Sequence, residues 1–229
     1  GRIDLEVNQA EITDLVGGIP CSPFGVFCRG PAGSVRGIEA FDGTVALRNS
    51  TLTRFSSTTT HGIQPSYAVF TSNSRTTTLV ANRISFLSNL VWEESNGQLR
   101  DSPSHPYCPA PGGTEVAALA TVGDQRLTVT DNVISDLVGD GLGGRTVGVL
   151  ARDVNDITVV RNSIENIGDG DLGSSAGGIV IEHTDTADVR ANTVHEIRGG
   201  TAFLERGGFW DGPGDAIGID LNGVTEASV

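Results

Sequence analysis

Lysine and methionine are absent from this chain, so all 15 basic residues are arginine. Aromatic residues make up only 5% of the sequence. No apolar run reaches the length of a membrane span, which is about 20 residues, and no signal peptide is recognisable. The formal net charge of −13 argues against nucleic acid and anionic membrane surfaces as partners. We therefore expect neither nucleic-acid binding nor direct membrane insertion.

The main feature that is present is an eleven-residue repeat with apolar columns and an internal asparagine. The six copies span residues 5–15, 45–55, 77–87, 127–137, 157–167 and 187–197. In the fifth copy the four small or apolar columns are Ile157, Val159, Ile164 and Ile167. Four copies carry the asparagine, as Asn82, Asn132, Asn162 and Asn192. Ser50 and Ala10 replace it in the other two.

This pattern predicts a coil of short strands. Alternation at the first two columns is typical of a strand, and an asparagine tolerates the turn that must follow. Asn132, Asn162 and Asn192 are spaced by 30 residues, which indicates the length of one coil. Stacked coils place parallel strands ~4.8 Å apart and bury one continuous apolar column. We expect the four asparagines to lie above one another inside the turn and to hydrogen-bond from rung to rung.

The repeat resembles the right-handed parallel β-helix of the pectate-lyase-like superfamily, whose turns carry such an asparagine ladder. The resemblance covers nearly the whole chain and implies an all-β fold: a right-handed parallel β-helix of about six coils, with residues 1–229 as a single domain. That superfamily includes lyases, hydrolases, epimerases, phage tailspikes and adhesins. The resemblance therefore leaves the function open.

After each repeat the chain leaves through a loop and comes back on a third strand. We predict these returning strands at 37–41, 68–72, 117–122, 148–152, 178–182 and 218–222. All the extra length lies between the repeat and the returning strand, so long loops collect on one side, which is the expected binding face. Residues 223–229 align with residues 1–7. We expect either a fragment of a longer chain or uncapped ends that meet neighbouring subunits, by end-to-end or lateral self-association.

The three cysteines predict a disulfide. Cys21 and Cys28 suit a small closed hairpin in the first loop, although Cys108 in the third loop could pair with either of them. A disulfide would place the protein outside the cell or on its surface. A metal site is the weaker interpretation because no CxxC pair is present. We expect no cofactor. The glycine-rich loops of Asp140, Asp169 and Asp171 suggest calcium as an alternative, but ordinary turns explain these loops.

Both tryptophans fall in the long loops. Trp92 and Tyr107 belong to the third loop and Trp210 to the last, where Glu205, Arg206 and Asp211 lie nearby. Aromatic faces stack on sugar rings and the charged groups can bond hydroxyls, so these six residues are candidates for carbohydrate binding. The alternative is that each tryptophan pins its own loop onto the solenoid.

Enzymes of the superfamily that this repeat resembles usually place catalytic residues on the outward face of the returning strands. Alternation predicts two outward rows on this face. The first row is Glu39, Phe70, Ala120, Leu150, Val180 and Asp220. The second row is Phe41, Ser72, Val122, Arg152, Glu182 and Asn222. The middle of this face is mostly apolar, which is unlike a sugar-cleaving groove and indicates a surface covered by its own loops or by another chain.

Arg152, Glu182 and Asp220 form the polar group on that face. Glu182 and Asp220 could act as two carboxylates on a glycosidic bond while Arg152 holds a charged sugar. Alternatively Arg152 and Glu182, ~5 Å apart on neighbouring rungs, form an ordinary cross-strand salt bridge, which we favour. The lysine base common among lyases of this fold has no counterpart here. We predict an extracellular structural or binding module that recognises carbohydrate or packs on other chains. A polysaccharide hydrolase or lyase is the alternative.

Overall fold

The computed structural model describes residues 4–17, 34–57, 65–89, 92–95, 98–101, 115–139, 144–168, 174–200, 203–204, 210–211 and 214–229. Within these ranges every regular element is a β-strand. The strands are β1 (Asp4–Asn8), β2 (Glu11–Thr13), β3 (Val16–Gly17), β4 (Arg36–Phe41), β5 (Thr44–Arg48), β6 (Thr51–Ser57), β7 (Ser66–Ser72), β8 (Thr76–Val80), β9 (Arg83–Asn89), β10 (Trp92–Ser95), β11 (Gln98–Asp101), β12 (Glu115–Val122), β13 (Arg126–Thr130), β14 (Val133–Gly139), β15 (Arg145–Arg152), β16 (Asp156–Val160), β17 (Ser163–Gly168), β18 (Ser175–Arg190), β19 (Thr193–Arg198), β20 (Phe203–Leu204), β21 (Trp210–Asp211) and β22 (Ala216–Ser228).

The coils stack in parallel, as the repeat predicts. First strands, which precede the asparagine, pair in the order β1-β5-β8-β13-β16-β18, and returning strands in the order β18-β15-β12-β7-β4. Second strands, which follow the asparagine, form a separate sheet ordered β19-β17-β14-β9-β6-β2. Each of β18 and β22 runs through the corner between a returning strand and a first strand. The predicted parallel β-helix is confirmed.

The apolar columns of the repeat form the main core. Ile157 pairs in register with Leu127, and Ile164 with Ile134, so each column continues from rung to rung. Side chains of Ile157, Val159, Ile164 and Ile167 are at most 3% exposed. Burying a side chain of this size stabilises the fold by roughly 1.5–3 kcal/mol, so the stacked columns are the main source of stability.

The asparagines lie in one file beside this core. Nδ2 of Asn82 donates to Oδ1 of Asn132 at 2.9 Å, Asn132 donates to Asn162 at 3.0 Å, and Asn162 donates to Asn192 at 2.9 Å. The same oxygens accept the backbone N–H of the asparagine one rung before. Ser50 extends the file, because its N–H donates to Asn82 Oδ1 at 2.9 Å. The turns are therefore linked by a ladder of buried amides.

Each coil turns at three corners, and each corner contains a residue in the left-handed conformation. In the fourth coil these are Asp131 before the ladder asparagine, Asp136 within the second strand and Asp153 after the returning strand, with φ of 57°, 58° and 53°. Most residues at these positions are not glycine, and Phe86 has φ of 57°. The repeat predicts the corner at the asparagine but not the one inside the second strand, four residues later.

The long insertions all enter after the corner inside the second strand, between the end of that strand and the start of the next returning strand. β9 is followed by the antiparallel pair β10 and β11 before β12 begins, and β19 is followed by the pair β20 and β21 before β22 begins. The corners at the asparagine and after the returning strand carry no insertion, as at residues 131–132 and 153–155. This order of strands confirms the predicted asymmetry, in which the long loops lie on one side of the coil.

Candidate functional site on the outward face of the returning strands

The two outward rows have the predicted register. Ala120, Leu150, Val180 and Asp220 are successive partners in the first row, and Val122, Arg152, Glu182 and Asn222 in the second. Although they point outward, Ala120, Leu150 and Val180 are at most 2% exposed. They belong to a second apolar cluster, separate from the main core, which we call the outer cluster: Tyr67, Ala117, Ala120, Val147, Leu150 and Val180, with Phe70 against them. The middle of the face is therefore covered.

The returning strands bend in their middle. Ala118 and Leu119 both pack into the main core, although alternation would send one of them outward. Strand pairing skips position 118 and its counterparts Gly148 and Gly178. The inside of the bend is tight, because a Cβ at Gly148 would lie 2.6 Å from the carbonyl oxygen of Gly178. The returning strands also start earlier than predicted, which adds Glu115 and Arg145 to the outward face.

Because of this bend, both ends of one strand reach the same carboxylate. Nη1 of Arg145 donates to Oε1 of Glu182 at 2.7 Å, and Nε of Arg152 donates to Oε2 of Glu182 at 2.8 Å. Arg145 and Arg152 are seven positions apart, which is about 23 Å in an extended strand and beyond the reach of side chains meeting on one carboxylate. The outward face is therefore concave, and the ion pairs span the concavity.

The network continues to a second carboxylate and a phenol. Nη2 and Nη1 of Arg152 donate to the two oxygens of Glu115 at 2.5 and 3.3 Å, and the hydroxyl of Tyr67 donates to Glu115 at 2.7 Å. We call Tyr67, Glu115, Arg145, Arg152 and Glu182 the ion-pair network. Its four charged side chains are 18–31% exposed, so they lie between the solvent and the outer cluster.

The protonation preferences of these groups follow from their partners. Burial alone would raise the pKa of Glu182, but the hydrogen bonds from Arg145 and Arg152 outweigh it and hold the pKa below its usual value of 4.5. Burial opposes the charge of Arg152, and the bonds to Glu115 and Glu182 again outweigh it, so that pKa is raised. Burial and the bond to Glu115 raise the pKa of Tyr67. These shifts favour a charged Arg152, an ionised Glu182 and a neutral phenol.

Aromatic rings continue the face toward the N-terminal rungs. The rings of Tyr67 and Phe70 stack with centroids 5.1 Å apart, and Phe41 meets Phe70 edge-on at 6.0 Å. The guanidinium of Arg36 lies 5.0 Å from the centre of the Phe70 ring and pairs with Glu39. Only Phe41 among these rings is widely exposed, at 52%.

The three predicted catalytic residues therefore have unequal surroundings. Arg152 and Glu182 are bonded to each other and to further charged groups, so that each oxygen of Glu182 accepts a hydrogen bond from an arginine. Asp220 is partly exposed and follows Val180 in the first row, and its side chain has no hydrogen bond or ion pair within the part of the chain described. The catalytic assignment of these residues stays a prediction.

Most of the other predicted site residues lie outside the described side chains. The backbones of Trp92, Trp210 and Asp211 belong to the loop pairs β10–β11 and β20–β21, but their side chains are not described. Residues outside the described part are Cys21, Cys28, Tyr107, Cys108, Asp140, Asp169, Asp171, Glu205 and Arg206. The disulfide, the sugar platform and the calcium loops stay predictions.

Sequence reasoning missed Tyr67, Glu115 and Arg145, although a signal for two of them exists. Glu115 and Arg145 are 30 residues apart and are partners on adjacent rungs, so extending the coil period backwards along each returning strand would have paired them. Tyr67 carries no comparable signal, because its role depends on its hydroxyl reaching the next rung.

A buried carboxylate inside the coil was also missed. Asp124, at 1% exposure, accepts hydrogen bonds from the hydroxyls of Thr71 and Thr77 at 2.9 and 2.7 Å, and from the N–H of Ser74 at 2.8 Å. These three donors tie the corner of the third coil to the coil before it. The sequence GDQ suggests an exposed turn, whereas the structure turns this side chain inward.

Comparisons of the chain with family models, curated proteins and solved structures find no match. Among the described residues, no three histidine, cysteine, aspartate or glutamate side chains are grouped to hold a metal ion. Nor do the described residues include a helix that is long and apolar enough to cross a membrane.

Proposed function

We propose that this chain is a non-enzymatic extracellular module that recognises carbohydrate or packs against other protein chains. The observation that carries the proposal is the state of Glu182, whose two oxygens are both bonded to arginine at 2.7 and 2.8 Å. A catalytic acid needs a pKa near the working pH, and a base needs a free lone pair facing the substrate. Two arginines on Glu182 oppose both requirements.

The burial of the outer cluster supports the same proposal. A cleavage groove must admit a sugar chain to its carboxylates, whereas Ala120, Leu150 and Val180 lie buried in the middle of this face. The ligand would then bind to the loops between the second and the returning strands, where Trp92 and Trp210 belong to the strand pairs β10–β11 and β20–β21. Loops that a rigid scaffold positions are the usual location of binding residues. The extracellular assignment follows from the proposed Cys21–Cys28 disulfide.

The second candidate is a polysaccharide hydrolase or lyase that uses Glu182 and Asp220, with Arg152 holding the substrate. The observation that favours it is Asp220, a partly exposed carboxylate one rung from Glu182. An enzyme of this kind would require Glu182 to leave at least one arginine when substrate binds.

A glycan array together with a reducing-end assay on a panel of polysaccharides tests the two candidates. For the module we expect glycan binding or self-association, and no release of reducing ends above the blank. Glu165→Gln is the matched control for Glu182→Gln, because Glu165 pairs with His195 at 3.1 Å on the sheet of second strands. Cleavage that Glu182→Gln abolishes and Glu165→Gln preserves would refute the proposal in favour of the enzyme.

A further inference from the structure

We propose that Asn222 is a site of spontaneous deamidation, which converts its exposed amide to a carboxylate on the outward face of β22. In this reaction the backbone nitrogen of the next residue attacks the side-chain carbonyl carbon, and ammonia leaves as a succinimide ring closes. Water then opens the ring to aspartate or isoaspartate. The next residue is Gly223, and a glycine has no side chain to crowd the attacking nitrogen.

The reaction requires a backbone N–H that is not held by another acceptor, and the asparagine ladder fails this requirement. In each of its four coils the N–H after the asparagine donates to a carbonyl one rung before, at 2.8–2.9 Å: Arg83 to Ser50, Val133 to Asn82, Ser163 to Asn132 and Thr193 to Asn162. The side chains of Asn82, Asn132 and Asn162 are also buried. The fold therefore protects these amides.

Two exposed asparagines at the corners of the coil are protected in the same way. The N–H of Ser50, which follows Asn49, donates to Asn82 Oδ1 at 2.9 Å. The N–H of Ser74, which follows Asn73, donates to Asp124 Oδ1 at 2.8 Å. Exposure of the amide is therefore not enough, because in both cases the attacking nitrogen would first have to give up a hydrogen bond.

The N–H of Gly223 differs from these groups in what it faces. Gly223 occupies the corner after the returning strand, where the N–H of an earlier coil donates to a carbonyl of the coil that follows. Gly123 donates to Arg152 O at 2.9 Å, and Asp153 donates to Glu182 O at 3.0 Å. Within the described residues β22 pairs with β18 alone, so no following strand offers a carbonyl to Gly223. Its nitrogen is thus available to attack the neighbouring amide.

The product would lie beside the ion-pair network. Asn222 is the partner of Glu182 on the adjacent rung, and cross-strand neighbours of this kind lie about 5 Å apart. A carboxylate at this position would repel Glu182 and compete with it for Arg152. The isoaspartate product would also lengthen the backbone of β22 by one carbon atom and disturb its pairing with β18. The modification therefore changes the charge of the outward face.

Peptide mass mapping of folded protein incubated at mildly alkaline pH tests the proposal. An asparagine before glycine reacts faster than one before serine in any flexible peptide. The rate at each site is therefore compared with its own rate in protein unfolded by guanidinium chloride. We expect folding to slow Asn73 at least about tenfold more than it slows Asn222, because Ser74 must first leave the Asp124 carboxylate. Mapping also separates Asn222 from Asn96, which precedes Gly97 outside the described residues.

Variants at the two corners assign the reaction. Asn222→Gln should abolish the release of ammonia from this site, whereas the matched change Asn73→Gln should leave the rate at Asn222 unchanged. Asn222→Asp carries the aspartate product from the start and should lower the melting temperature; no change would refute the repulsion of Glu182. Equal slowing of Asn73 and Asn222 by folding, or an intact Asn222 in aged folded protein, would overturn the proposal.

Discussion

Removing one amide from the middle of the asparagine ladder should destabilise the protein strongly. Asn132 is 1% exposed and its side chain takes part in five hydrogen bonds. Its Oδ1 accepts from the backbone N–H and Nδ2 of Asn82, and the two protons of its Nδ2 are shared among Leu79 O, Thr130 O and Asn162 Oδ1, all at 2.9–3.0 Å. Asn132→Ala removes all five bonds and leaves the Asn82 N–H buried without its partner.

The expected loss can be estimated from these groups. A buried polar group left without a partner costs about 1–3 kcal/mol, and some of the affected groups keep a second bond. Nδ2 of Asn82, for instance, still donates to Leu47 O at 2.9 Å. We expect a total loss of about 4 kcal/mol, which corresponds to a fall of roughly 12 °C in melting temperature for a chain of this size. Asn192→Ala, at the less buried end of the ladder, should cost about half as much because water can reach its partners.

Urea unfolding followed by circular dichroism measures both losses. Asn132→Asp is the control for shape, because it keeps the acceptor oxygens and replaces the donor with a buried charge. It should be at least as destabilising as Asn132→Ala at neutral pH. A loss below about 1 kcal/mol for Asn132→Ala, or equal losses at Asn132 and Asn192, would refute the reasoning that the amides act through rung-to-rung bonds.

Three further predictions concern other parts of the coil. Asp124→Val should lower the free energy of unfolding by about 3 kcal/mol. Adding Thr71→Val and Thr77→Val should restore roughly half of this loss, because the two hydroxyls left without an acceptor are then removed. If urea unfolding shows no rescue by the added changes, the explanation is contradicted. The depressed pKa of Glu182 predicts stability that is present above pH 4.5 and lost as the pH falls below it, and Glu182→Gln should flatten this decline in melting temperature. An unchanged slope would refute that assignment. Ala81 has φ of 54°, so Ala81→Gly should raise the unfolding free energy by about 0.5 kcal/mol, and a decrease would show that the position is not strained.

The periodic part of the fold could be predicted from the sequence. The columns that contain Ile164 and Ile167, and the asparagines beside them, repeat often enough that the strands, the stacking and the ladder follow from spacing alone. The register of Arg152 with Glu182 followed from the same period. These features depend on position within a coil, which a repeat specifies directly.

The features that break the period could not be predicted. The bend at Gly148 interrupts alternation, so strand periodicity carries no information about which residues beyond it point outward, and Arg145 was missed. Phe86 adopts a left-handed conformation that its side chain disfavours, because the corner is imposed by the packing of the coil. Asp124 turns inward because the hydroxyls of Thr71 and Thr77, both distant in sequence, donate hydrogen bonds to its carboxylate. Such contacts depend on three-dimensional neighbours that no local pattern encodes.

A structural role for the outward face of the returning strands requires Glu182 to be ionised and held by its two arginines. Carbon-13 NMR of the glutamate carboxyl groups, titrated with pH and assigned by comparison with Glu182→Gln, measures this directly. We predict that the Glu182 carboxyl titrates below its usual value of 4.5, because Arg145 and Arg152 hold its charge. Titration above that value, toward neutral pH, would contradict the account and identify a group poised for acid catalysis.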